Sequence, residues 1–207
     1  MPFYQMETID RTTAKAKIVA ERLHVLTDAE KLKILENNFF YLEKSADHDT
    51  FEADLQTWLT DDDELPELSP EAVELIRTQT YLTLPFSPSL DPLFERALLD
   101  ELYGVANSYL EIVLNRRTVL FEVTGTVEPM GTCPCCRHLS NPAGEDGFHA
   151  ICPVCFWQDG GAGPNGMLLE TAQANVARYG AMSPSALRYV DVEGKIKYER
   201  STPGSDA

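Results

Sequence analysis

The sequence contains two cysteine motifs that determine how this part of the chain folds, Cys133-Pro134-Cys135-Cys136 and Cys152-Pro153-Val154-Cys155. Two residues separate the outer cysteines of each stretch, and fifteen residues separate the two stretches. This spacing lets a tight turn aim both sulfurs at one point, and the proline stiffens the turn. Two such turns complete a tetrahedral thiolate shell at zinc-ribbon spacing. We therefore predict a structural Zn²⁺ site with the ligands Cys133, Cys136, Cys152 and Cys155.

Redox-active or metal-free cysteines are the alternatives to a zinc site. Redox Cys-x-x-Cys pairs occur singly at a helix start, whereas this chain has two matched copies, so the pattern favours zinc. All five cysteines fall between positions 133 and 155, where disulfides could not staple a 207-residue fold. We expect the fifth cysteine and the four histidines to be structural or surface residues: Cys135, His24, His48, His138 and His149.

Negative charge is concentrated in the N-terminal part of the chain. Residues 1–130 hold 25 acidic and 11 basic residues, whereas residues 131–207 hold 8 and 6, within a net charge of −16. Such a field repels phosphate and attracts basic protein surfaces. We predict that a basic partner contacts the acidic run, for which a solvated linker is the alternative: Asp61, Asp62, Asp63, Glu64 and Glu67.

Residues 10–115 are predicted to form a series of helices, because apolar residues recur at spacings of three and four. Thr27 and Glu30 form a capping box that separates the first two helices. Ser69-Pro70 and Asp91-Pro92 each place a capping side chain before a proline at the first helical position. The predicted apolar positions include Ile18, Val19, Leu23, Leu26, Leu32, Leu35, Phe39, Leu42, Phe51, Leu55, Trp58, Leu59, Val73, Ile76, Phe94, Ala97, Leu98 and Leu102.

The apolar period changes to that of a strand near residue 118, with Val119, Phe121 and Val123 on one face. After the cysteines, the pattern predicts a short helix over 169–179 that Gly180 closes. Residues 189–198 are predicted to form a last strand pair. The sequence thus indicates an α+β protein, with a mainly helical N-terminal region followed by a small zinc-ribbon-like β module that carries a short helix.

We predict three segments in the domain organisation of the chain. Residues 1–117 form the helical region, 118–200 the zinc-ribbon-like domain and 201–207 a disordered tail. The first residues lack the basic start and apolar run of a signal peptide, and no stretch has the roughly 18 apolar residues of a membrane span. We therefore expect a cytoplasmic protein that does not bind membranes.

No catalytic constellation stands out in the sequence. It contains no G-x-S-x-G, no H-E-x-x-H and no phosphate-cradling glycine loop, and a complete four-thiolate shell leaves no open metal position. An enzyme is therefore not expected. Only Arg137 is basic between the outer cysteines, and the net charge opposes binding to a nucleic-acid duplex, so no nucleic-acid partner is expected either.

The cysteine-bearing part of the chain resembles the bacterial cysteine-rich CPCC family. The resemblance rests on Cys133-Pro134-Cys135-Cys136, Ile151-Cys152-Pro153-Val154-Cys155-Phe156-Trp157-Gln158-Asp159, Gly163-Pro164-Asn165-Gly166-Met167-Leu168-Leu169 and Arg178-Tyr179-Gly180. Arg137 stands where the family more often has glycine, and Gln158 where it often has an acid. Longer members also resemble this chain upstream, at Asp91-Pro92-Leu93 and Phe121-Glu122-Val123-Thr124-Gly125.

The resemblance implies a small zinc-ribbon-like module without enzymatic residues. Some members are encoded beside polymorphic or secretion-system toxins, as immunity proteins. The leading hypothesis is thus an immunity protein that binds and occludes a cognate, basic toxin domain. The alternative is a zinc-ribbon adaptor, or a nucleic-acid- or transcription-associated binding module.

Overall fold

The computed structural model describes residues 6–38, 55, 57, 59, 67–78, 80, 82–115, 119–143, 150–158 and 167–201. Contacts divide the chain into two units, one formed by Met1–Ala14 with Tyr103–Ala207 and the other by Lys15–Leu102. Helices and small sheets are both present, so the predicted α+β class is confirmed. Within the described residues, no helix has the length and apolar character needed to span a membrane.

The Lys15–Leu102 unit is helical in its described part. It contains α1 (Arg11–Val25, from Lys15 onward), α2 (Asp28–Asn38), α3 (Pro70–Arg77), a 3-10 turn (Pro88–Leu90) and α4 (Asp91–Asp100). Its core is apolar and formed by residues no more than 4% exposed, among them Ile18, Val19, Leu35, Leu55, Ile76, Leu90, Leu93, Phe94, Ala97 and Leu98. Of the predicted apolar positions, Phe39, Leu42, Phe51 and Trp58 lie outside the described residues. The sequence pattern also predicts Leu82 on the helix that starts at Pro70, which is wrong, because that helix ends at Arg77 and Leu82 is 47% exposed.

Side-chain caps set two of these helix starts as predicted. The Thr27 amide donates to Glu30 Oε2 at 2.9 Å, and the Glu30 amide donates to Thr27 Oγ1 at 3.3 Å, which confirms the capping box. Ser69 Oγ accepts a hydrogen bond from the Ala72 amide ahead of α3. Asp91 differs from the prediction, because it lies inside α4 and its carboxylate pairs with Lys31 Nζ at 3.3 Å instead of capping.

The other unit contains a parallel strand pair that the sequence did not predict in full. Strand β1 (Met6–Asp10) pairs with β2 (Leu120–Thr124), and only β2 was predicted. The second edge of β2 is covered by α5 (Asn107–Leu114) and the residue after it. The Val123 amide donates to Glu111 Oε1 at 2.9 Å, and the Phe121 amide donates to Asn115 Oδ1 at 2.6 Å.

The cysteine region adds an antiparallel pair, β3 (Met130–Thr132) with β4 (Leu139–Pro142). It is followed by α6 (Leu169–Tyr179), a 3-10 segment (Pro184–Tyr189) and α7 (Gly194–Lys197). The predicted end of α6 is confirmed, because Gly180 adopts a φ of 90° there.

The strand pair predicted over 189–198 is wrong. Asp191 Oδ1 accepts a hydrogen bond from the Glu193 amide at 2.9 Å, and the Gly194 amide donates to the Asp191 carbonyl at 3.0 Å. These bonds begin the helical turn of α7 where alternating residues had indicated strands.

The contact-based division differs from the predicted boundary between 117 and 118. Helix α5 and β1 belong to the unit that holds the cysteines, because β1 pairs with β2 and α5 packs on β2. Of the predicted tail 201–207, only Ser201 is described, and its amide donates to the Arg137 carbonyl at 2.8 Å.

A buried ion pair links the first residues of this unit to the segment before the cysteines. Arg11 is 5% exposed, and its Nη2 lies 2.6 Å from Glu128 Oε2. Arg11 Nη1 also donates to Asn107 Oδ1 at 2.8 Å, and the Gly104 amide donates to Glu128 Oε2 at 3.0 Å. One carboxylate thus joins three separate segments of the unit.

We expect Glu128→Ala to lower the free energy of unfolding by about 3 kcal/mol, because it leaves the buried Arg11 guanidinium without its carboxylate. Asp100→Ala is the matched control, since it removes a carboxylate from the half-exposed Arg96–Asp100 pair and should cost about 0.5 kcal/mol. Urea denaturation of both variants measures the difference. Equal losses for the two variants would contradict the importance assigned to Glu128.

Candidate metal centre

The first cysteine turn is closed by two backbone hydrogen bonds. The Arg137 amide donates to the Cys133 carbonyl at 2.9 Å, and the Cys133 amide donates to the His138 carbonyl at 2.8 Å. Arg137 has a φ of 67°, in the left-handed region that residues other than glycine seldom adopt. This conformation turns the chain back on itself, so Cys133 and Cys136 both face inward.

The second turn repeats the first. The Phe156 amide donates to the Cys152 carbonyl at 2.8 Å, the Cys152 amide donates to the Trp157 carbonyl at 2.7 Å, and Phe156 has a φ of 64°. Corresponding positions in the two turns therefore make the same bonds and the same left-handed step. Each turn presents its two thiols in the same way.

The four predicted ligands converge on one point. Their Sγ atoms all lie within 4.8 Å of one another, with 3.7 Å between those of Cys133 and Cys155 and 3.6 Å between those of Cys136 and Cys152. A tetrahedral site with metal–sulfur bonds of about 2.3 Å has sulfur–sulfur distances of about 3.8 Å. All four residues are at most 5% exposed, and none forms a disulfide. The four cysteines are thus placed to bind a metal ion.

The thiols also polarise one another. The hydrogen bond to Cys136 raises the pKa of Cys133, and bonds from Cys133 lower the pKa of both Cys136 and Cys152. The pKa of Cys155 is raised, first of all by its bond to Cys133. Each cysteine has to lose its proton to bind a cation, so acid pH is unfavourable for metal binding.

A shell of buried residues surrounds the four sulfurs. Ser140 Oγ on β4 lies 3.1 Å from Cys152 Sγ, where its hydroxyl can donate to a thiolate. Apolar side chains enclose the remaining sides: Val154, Trp157, Ala172, Ala181, Met182 and Ala186. Helix α6 is tied to the first turn, because Gln173 Nε2 donates to the Pro134 carbonyl at 3.0 Å.

The remaining candidate residues do not join the group of four. Cys135 is buried beside it but is not part of it, and His138 Nδ1 lies 3.2 Å from the Cys136 carbonyl. His24 and Glu67 are exposed on the other unit. Sequence reasoning missed Ser140, because no motif marks a lone serine that β4 brings to a cysteine twelve residues away. The candidates that lie outside the described residues are His48, His149, Asp61, Asp62, Asp63 and Glu64.

We expect Cys152→Ser to abolish stoichiometric metal binding and to unfold this end of the chain, because ligand loss opens the shell and binding is coupled to folding. Cys135→Ser is the matched control in the same buried cluster, and we expect it to keep about one metal ion per chain. Elemental analysis together with thermal melting measures both. Metal retention by Cys152→Ser with an unchanged melting curve would refute the ligand assignment.

We expect Ser140→Ala to weaken metal binding by about tenfold, because it removes the hydroxyl that supports the Cys152 thiolate. Competition with a chromophoric chelator measures the change. Ser185→Ala, at an exposed position of the 3-10 segment, should leave the affinity unchanged. Equal affinities for all three proteins would show that the Ser140 hydroxyl does not act on the metal site.

Comparison with known proteins identifies the region that holds this cluster. Residues 131–195 match the profile of a family described as Cysteine-rich CPCC, and the match includes both cysteine turns, α6 and the 3-10 segment. No curated protein and no solved structure shows significant similarity to the chain. The predicted resemblance to the cysteine-rich CPCC family is thus confirmed for residues 131–195, which we call the CPCC region.

Proposed function

We propose that this protein is an immunity protein that neutralises a bacterial toxin domain by covering its active surface. A structural Zn²⁺ ion would hold the CPCC region in its folded form. Four thiolates in a tetrahedral arrangement are the ligands typical of structural zinc, and thiolate softness disfavours Mg²⁺ and Ca²⁺. The four cysteines would supply every ligand, and the ion would have no catalytic role.

The observation that most supports a binding function, and not a catalytic one, is the closed shell of four thiolates. A catalytic zinc keeps a coordination position open for water or substrate, whereas four sulfurs fill the tetrahedron. The cluster is also buried, with each ligand at most 5% exposed. We therefore propose that the metal site takes no part in catalysis and that the protein acts by binding.

The charge of the Lys15–Leu102 unit supports a basic protein as the partner. This unit contains 20 acidic and 8 basic residues, which gives it a net charge of −12. Toxin domains that act on nucleic acids or nucleotides are commonly basic around the substrate site. An acidic partner gains a faster encounter with such a surface and can occlude it.

The resemblance to the CPCC family is the reason for proposing a toxin as the partner. Some members of that family are immunity proteins encoded beside toxins, and such a protein acts in the cell that makes the toxin. The cytoplasm is therefore the proposed location. A zinc-ribbon adaptor without a toxin partner is the alternative, and its partner would be found away from any neighbouring toxin gene.

The proposal is tested by co-expression with the C-terminal domain encoded by the gene immediately upstream. Growth rescue, together with a complex that survives gel filtration, is expected. A toxic domain that is neither rescued nor bound would refute the immunity function. A neighbouring domain without toxicity and without a complex would favour the adaptor.

The acidic run can be neutralised by four substitutions, Asp61→Asn, Asp62→Asn, Asp63→Asn and Glu64→Gln. We expect this variant to associate with the toxin domain about tenfold more slowly at low salt, and the slowing to be far smaller at high salt. The matched control removes the same charge at exposed positions of the same unit, through Glu21→Gln, Asp28→Asn, Glu36→Gln and Glu95→Gln. Stopped-flow fluorescence measures the rates. Equal slowing in both sets would assign steering to the whole unit, not to this run.

A further inference from the structure

Three exposed cations of the CPCC region stand apart from the acidic character of the chain. They are Arg178 on α6, Arg188 on the 3-10 segment and Lys195 on α7. None of them forms an ion pair with any residue in the described part of the chain, whereas Lys197 pairs with Asp191 at 2.6 Å and Arg11 with Glu128 at 2.6 Å. Their charges are therefore available to an external anion.

Aromatic rings accompany these cations. The Arg188 guanidinium lies 4.6 Å from the centroid of the Tyr189 ring, and the Arg178 guanidinium lies 5.0 Å from that of Tyr179. Tyr189 also stacks on Phe156, with 5.0 Å between ring centroids and 22° between ring planes. Tyr189 is 55% exposed and Tyr179 37%. Planar groups and positive charge thus occur together at the surface.

The second cysteine turn holds these residues in one region. Phe156 belongs to that turn, the Met182 amide donates to the Cys155 carbonyl, and Gly194 packs against Val154. Lys195 Nζ lies 3.5 Å from where a Cβ on Gly180 would stand, which places the ammonium group at the end of α6. We name this surface the basic-aromatic face and define it by six residues: Phe156, Arg178, Tyr179, Arg188, Tyr189 and Lys195.

We propose that the basic-aromatic face binds single-stranded nucleic acid. Proteins that bind single strands combine cations that contact the backbone with aromatic rings or guanidinium planes on which unstacked bases lie. The phosphates would contact Arg178, Arg188 and Lys195, and bases would stack on the rings or on the guanidinium groups that cover them. An acidic peptide without aromatic side chains would use the cations but would offer no ring to stack on the exposed tyrosines.

This inference departs from the expectation of no nucleic-acid partner. That expectation rested on the net charge of −16 and on Arg137 as the one base between the outer cysteines. The three cations lie after the second cysteine pair, on three different elements. Their positions in the sequence do not indicate that these elements lie close together. Because the charge of −12 belongs to residues 15–102, we infer binding to a flexible single strand and not to a rigid duplex, whose denser charge would be repelled more strongly.

The test uses the full-length, metal-loaded protein and fluorescein-labelled 12-nucleotide oligouridylate and oligothymidylate, followed by fluorescence anisotropy. We expect binding at 50 mM salt that weakens as salt is raised, with a slope of log K against log salt of about −2 for three phosphate contacts. Preference for one oligonucleotide would distinguish RNA from DNA. A 12-base-pair duplex should bind more weakly than either.

Variants separate the roles of charge and stacking. We expect Arg188→Gln to reduce the magnitude of the salt slope by about 0.7, and Tyr189→Ala to weaken binding about tenfold. Arg96→Gln, a charge-matched change on α4 outside the face, should change neither quantity. Metal content and melting temperature of each variant establish that the fold is intact.

Three results would overturn the inference. They are no binding of either oligonucleotide at 50 mM salt, binding that Arg188→Gln and Tyr189→Ala leave unchanged, and displacement of the oligonucleotide by poly-glutamate at equal charge concentration. The last result would assign the face to an acidic protein. None of these results depends on the toxin complex. Nucleic-acid binding by the face and the proposed immunity function can therefore be refuted separately.

Discussion

Four buried thiols meeting at one point are the constraint on which the CPCC region depends. Their Sγ atoms lie within 4.8 Å of one another. Four buried thiolates so close together would be costly without a cation, whereas a bound cation would cross-link the two cysteine turns. Metal binding at this cluster would therefore be coupled to the folding of the two turns.

The second cysteine turn is connected by a hydrogen bond and close packing to the elements that follow it. The Asp191 amide donates to the Pro153 carbonyl at 2.8 Å, and Gly194 lies so close to Val154 that an added Cβ would stand 3.2 Å from its Cα. The link continues to α5, because the Ala106 amide donates to the Lys197 carbonyl and Tyr109 Oη donates to Glu193 at 2.8 Å. Helix α5 in turn covers one edge of the β1–β2 pair. The cysteine cluster is thus connected to a unit that extends well beyond the four cysteines.

Sequence reasoning succeeded where the determining interactions are local. The spacing of the cysteines and the capping box at Thr27 are encoded within a few residues, and the structure has both. It failed for β1, because that strand is largely exposed, shows no apolar alternation and pairs with a strand more than a hundred residues away. It also failed for 189–198, where the Asp191 side chain favours a helical turn that the alternating pattern does not reveal. Ser140 was not predicted, because only the position of β4 in the fold brings its hydroxyl to the Cys152 sulfur.

The distribution of charge gives the two parts of the chain different electrostatic properties. Residues 15–102 have a net charge of −12, whereas residues 167–201 hold five basic and four acidic residues. Two of those four acids are already engaged, Asp191 by Lys197 and Glu193 by Tyr109. The local field at the basic-aromatic face is therefore more positive than the net charge of the chain suggests. Anion binding at this face would therefore depend on the near balance of charge in residues 167–201, which the net charge of the whole chain does not reveal.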